Sequence, residues 1–180
     1  VYRLEEIYEE RKGKLVFRAG VPWPGIYHLR LLAFTNSWRN EENRGLLTDA
    51  LTRLREFGSI PSINLLHKGQ MVGPGSFCMH EFDVDLEELN AKEWMMWFHR
   101  MELLARLGVA NGVQAFERQI RQLKSILREN DGIFSRKLSH YYFNMWTPYT
   151  GLALENSWRK KNARACDLTF RSLLILRLSG

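Results

Sequence analysis

Three stretches of this chain repeat one layout, and that layout limits the possible folds more than any single motif does. In the first, His28-Leu29-Arg30-Leu31-Leu32-Ala33-Phe34 sets Leu31, Leu32 and Phe34 on an apolar stripe. After the polar break "RNEENRG", Leu46, Leu47, Ala50, Leu51, Leu54 and Phe57 recur at steps of three and four. Such steps are the period of a helix with one buried face. In the second, Trp97 to Ala105 leads through "GVANG" into Val113, Phe116, Ile120, Leu123, Ile126 and Leu127. In the third, Tyr149 to Trp158 leads through "RKKNAR" into Ala165, Leu168, Leu173, Leu174 and Leu176. The spacing predicts an all-α fold of antiparallel helical hairpins at about 27–57, 93–129 and 147–178. Hairpins of roughly 30 to 50 residues that each expose an apolar face must stack to bury it.

A literal repeat runs through the first and third hairpins. "LAFTNSWRNEENR" at 32–44 returns as "LALENSWRKKNAR" at 152–164, with Asn36/Asn156, Ser37/Ser157, Trp38/Trp158 and Arg39/Arg159 among the identities. Both copies sit where a first helix meets its turn, so a structural role is expected. The tryptophans would pack over the hairpin tip, and the Asn and Ser side chains would bond terminal backbone groups. Ahead of the hairpins, Leu4, Ile7, Tyr8 and Arg11 suggest one short helix, and "LVFRAGVPWPG" reads as an extended linker because Pro22 and Pro24 disfavour helix. The expected division is an N-terminal helix and linker over 1–26 and a hairpin domain over 27–180. Residues 58–85 show no clear periodicity and are expected to be a long loop.

Bulk properties set the class. The chain has 180 residues, 45% hydrophobic and 26% charged, the balance of a globular protein with a real core. It holds no apolar run of about 18 residues, so no membrane-spanning helix is expected. Two cysteines, Cys78 and Cys166, are too few for a disulfide scaffold and point to a reducing compartment, with cytoplasmic as the expected location. The formal charge of +6 is spread as Lys and Arg alternating with Asp and Glu, and no nucleic-acid partner is expected.

Helical hairpins ending in "NDGIF" and followed by "SHYYFNMWTPYTGLAL" resemble the terpenoid cyclase and protein prenyltransferase superfamily over residues 27–57 and 93–180. The resemblance implies an α/α toroid, here a partial barrel. In the superfamily's Gln-x-x-x-Gly-x-Trp element, Arg128, Gly132 and Phe134 stand at the marked positions, so the glycine matches and the other two do not. The resemblance also implies two kinds of chemistry. A cyclase protonates its substrate from an Asp-x-Asp-Asp motif, to which Asp83-Val84-Asp85-Leu86 is the nearest match, with its last Asp missing. The competing expectation is that Asp83, Asp85, Glu87 and Glu88 form the acidic first turn of a helix beginning near Leu86. A prenyltransferase holds zinc with Asp, Cys and His, for which Cys78 and His80 beside Asp83 are the candidates. No cofactor is expected beyond that zinc, and a buried cysteine beside an exposed histidine is the plainer reading.

One further set leans toward a ligand. Trp23, His28, Trp97, His99, Tyr142 and Trp146 fall just before or within first helices, where a toroid would gather them at one mouth of its cavity. An aromatic concavity suits an apolar small molecule or a protein segment, and ordinary core packing is the alternative. Three functions stay open: a non-catalytic protein binding an apolar ligand or protein partner on that face, an isoprenoid-processing enzyme, and a homo-oligomer built on the open half-barrel.

Overall fold

The computed structural model describes residues 4–21, 26–56, 63–72, 83–140, 154, 158–160 and 162–180. Its elements run α1 (Leu4–Ile7), β1 (Tyr8–Arg11), β2 (Lys14–Phe17), α2 (Ile26–Ala33), α3 (Glu41–Glu56), β3 (Leu65–His67), β4 (Gln70–Val72), α4 (Ala91–Leu107), α5 (Gln114–Arg128) and α6 (Ala163–Ser179). The all-α expectation is therefore corrected. Two antiparallel β-hairpins, β1–β2 and β3–β4, stand beside the helices. They occupy residues where the sequence suggested a short helix with an extended linker and an aperiodic loop.

The reason lies in two Lys-Gly pairs. Lys12-Gly13 and Lys68-Gly69 both adopt positive φ at both positions, 52° and 71° in one and 48° and 79° in the other. Paired left-handed residues reverse the chain with the twist that two antiparallel strands need, and glycine takes the second position without strain. Tyr8 then faces Phe17 and Arg11 faces Lys14, while Leu65 faces Val72. The two hairpins meet at a parallel bridge between Val16 and Asn64. There Phe17 N–H donates to Asn64 O at 3.0 Å, and Asn64 N–H and Nδ2 both donate to Leu15 O.

Helix α4 is the centre of the molecule, buried nearly all round, and packs against α2 and α6. Its ends are well specified. Asn90 caps the start by accepting from the N–H groups of Lys92 and Glu93, and Glu93 reaches back to Asn90 N–H at 2.8 Å. Gly108, in the left-handed region at φ 77°, closes the end. The acidic stretch does not open a helix at Leu86; residues 86–88 form a turn and the helix waits for the Asn90 cap.

Around α4 the apolar stripes bury differently from their sequence periodicity. In α2 the core takes Leu29 and Ala33, one turn apart, and leaves Leu31, and Phe34 just past the helix end, exposed. In α3, which begins at Glu41 and contains Gly45, Leu51 is buried and Leu46 is exposed. In α6 Leu168 and Ile175 are buried while Phe170 and Leu173 face outward. Only α5 matches its pattern closely, with Phe116, Leu123, Ile126 and Leu127 all inside.

Candidate functional site

The sequence candidates divide into three groups. Trp23, Cys78, His80, Tyr142 and Trp146 lie outside the described residues, as does the first helix expected at 149–158 apart from Leu154 and Trp158. Asp83, Asp85 and His28 are exposed, and Trp97 and His99 are buried on α4. Asp83 and Asp85 bond to residues of α3 and α5, while His28 lies on α2 and Trp97 and His99 lie on α4.

Asp83 and Asp85 act as ties between elements. Asp83 Oδ2 accepts from Arg55 Nε at 3.0 Å and Nη2 at 2.9 Å, and its Oδ1 accepts from Arg118 Nη2 at 3.2 Å, joining the end of α3 to α5. Asp85 Oδ1 accepts from Gln122 Nε2 and from Glu87 N–H, both at 2.9 Å. Glu87 pairs with Arg136. All three carboxylates are exposed, and their bonds tie neighbouring elements together.

Trp97 belongs to an aromatic core. Trp94, Trp97, Phe98 and Phe134 pack mainly edge to face with centroids 5.1 to 5.4 Å apart, the arrangement that ring quadrupoles favour. Trp97 Nε1 donates to the buried Gln119 Oε1 at 2.8 Å, which locks α4 to α5. Arg136 lies over the Trp94 ring at 5.5 Å. Trp94 Nε1 is buried and has no hydrogen-bond partner among the described residues.

His99 opens a polar strip along α4, followed by Glu102 and Arg106 at helical spacing. Arg30 Nη2 stands 2.9 Å from His99 Nε2. A guanidinium only donates, so that ring nitrogen is the acceptor. Glu102 Oε1 takes Arg106 Nε and Nη2 at 3.0 and 2.9 Å, and Oε2 takes Arg171 from α6. Arg106 also covers the Phe34 ring at 4.9 Å. The Glu102–Arg106 pair is legible as an i,i+4 spacing; nothing local to the sequence reveals Arg171 as the third member.

The repeated Asn-Ser-Trp-Arg is structural in its first copy. Trp38 Nε1 donates to Leu32 O at 2.8 Å. Arg39 donates to Thr35 O and Ala33 O at the end of α2 and to Arg106 O at the end of α4, at 2.8 to 3.1 Å. Asn40 Oδ1 accepts from Asn43 N–H, and Asn43 Nδ2 donates to Trp38 O, both at 2.7 Å. The bonding therefore comes from Trp38, Arg39, Asn40 and Asn43. In the second copy Trp158 is bonded differently from Trp38: its Nε1 donates to the buried Asp167, which also accepts from Leu154 N–H at 2.9 Å. The residue 120 positions before Asp167 is Leu47, so the acid has no counterpart in the first copy.

Among the described residues no group of three His, Cys, Asp or Glu stands close enough to hold a metal ion, and no helix is long and apolar enough to cross a membrane. Compared with known proteins, the chain matches no family model, no curated protein and no solved structure.

Proposed function

We propose that this chain is a non-catalytic binding protein whose partner is another protein, held on apolar side chains that the fold leaves uncovered. One observation carries the reading. Phe170 and Leu173, three residues apart on α6, are 53% and 51% exposed although the periodicity of the helix predicts Leu173 as core. Phe34, one residue past α2, is 66% exposed, with the Arg106 guanidinium on its ring. Isolated outward leucines are ordinary, but paired large apolar groups on one helix side are the usual material of an interface. A helix surface rather than an enclosed hollow suits a protein better than a small apolar molecule. Self-association of two copies is one form of the same reading. Kinship with the terpenoid cyclase and prenyltransferase superfamily is retained as a proposal for residues 27–57 and 93–180. Among the described residues no observation favours isoprenoid chemistry over binding.

The test is the double substitution Phe170→Asp, Leu173→Asp. Native protein should enhance the fluorescence of an apolar-surface dye, and the double variant should lose most of that signal. Its melting temperature should stay within a few degrees, since exposed substitutions usually shift stability by about 0.5 kcal/mol or less. A drop of ten degrees or more would show that the two side chains are core in solution, and the reading would fall.

A further inference from the structure

The net charge of this protein is not evenly laid. Helix α5 carries Arg118, Arg121, Lys124 and Arg128 against the single acid Glu117, a surplus of three out of the formal +6 of the whole chain. All four cations are exposed and recur at steps of three and four, so they form one row. At about 1.5 Å per residue the row is roughly 15 Å long. Its first member is already in use. The segment just before α4 presents acids at alternate positions, and Asp83 docks on Arg118 while Asp85 docks on Gln122. Farther along, the carboxylate that Arg121 meets among the described residues is Glu117, at a loose 3.8 Å. Lys124 and Arg128 have no carboxylate partner among the described residues.

We propose that the outer side of α5 is a docking surface for an extended acidic protein segment, which continues along Arg121, Lys124 and Arg128 the contact that Asp83 and Asp85 begin. This surface is a different set of side chains from the α6 pair and stands without it. Two other anionic partners fit less well. The apolar side of α5, with Phe116, Leu123 and Ile126, is spent in the core, so the helix has nothing to insert into a membrane. Its outer side carries no aromatic residue on which bases could stack. Carboxylates are what this row already binds, and guanidinium matches their geometry.

The experiment titrates the intact protein with a short labelled poly-glutamate peptide, an oligo-thymidylate of equal charge, and phosphatidylcholine vesicles containing phosphatidylserine. The peptide should bind at low salt and weaken as salt is added. Lys124→Glu, Arg128→Glu should reduce its affinity about tenfold or more. The variant Lys92→Glu, Lys160→Glu, an equal charge change elsewhere on the surface, should reduce it much less. Any of three results overturns the proposal: no peptide binding at low salt, equal losses in the two double variants, or tighter binding of the oligonucleotide or the vesicles than of the peptide.

Discussion

Arg39 shows what a single side chain can hold together. Helix ends leave carbonyl oxygens without internal partners, and Arg39 supplies donors to the ends of two helices at once, α2 through Ala33 and Thr35 and α4 through Arg106. Its guanidinium also lies 5.2 Å from the Trp38 ring. Arg39→Ala is expected to cost about 2 kcal/mol, because charged groups make the stronger hydrogen bonds and these are partly buried. Arg39→Lys should recover less than half of that, since an ammonium cannot spread donors across two helix ends. Urea denaturation of the three proteins measures both. Trp94 is the opposite case, a buried indole N–H with no acceptor among the described residues; a loss of about 1 to 3 kcal/mol attends such a group, and close-packed rings surround it.

Among the elements, α4 depends most on its caps. It is the helix against which α2 and α6 pack, so a weak start would be felt in both. Asn90→Ala removes both acceptor bonds of the capping box and should cost about 1 kcal/mol, seen as a lower melting temperature with an unchanged denaturant slope. Helix α5 shows how much an element can disclose in advance, because its apolar residues fall on one side and its charges on the other. Helices α2 and α6 disclose less. Leu and Phe surround them on more than one side, and periodicity alone cannot decide which side meets the core; in α2 it was Leu29 and Ala33, not Leu31 and Phe34. The strands were hidden for another reason. Each is three or four residues long, too short for alternation to register, and their turns use Lys-Gly where Asn-Gly or Asp-Gly would have been recognised. Two Lys-Gly pairs with matched flanks, "RKGKLV" and "HKGQMV", were the available signal. The candidate acids were legible as residues and not as partners. Arg55 and Arg118 lie 28 and 35 positions from Asp83, and no local pattern predicts such distant pairings.

For the molecule as a whole, the joint between α4 and α6 sits on Glu102. Its side chain is 14% exposed and that of Arg171 is 10% exposed, so the ion pair is largely removed from water. Glu102→Gln leaves Arg171 and Arg106 without their shared countercharge. Breaking one partner of a buried pair is expected to cost about 3 kcal/mol, which would appear as a large fall in the urea midpoint. A near-neutral result would mean that α6 is held by its apolar side alone. Elsewhere the two β-hairpins are stitched at Val16 and Asn64, 48 positions apart in the chain. Trimming away residues 4–17 would therefore do more than shorten a tail: Asn64 would lose the backbone donor and acceptor that now anchor it, and the start of the second hairpin would become an open edge able to recruit a stray strand.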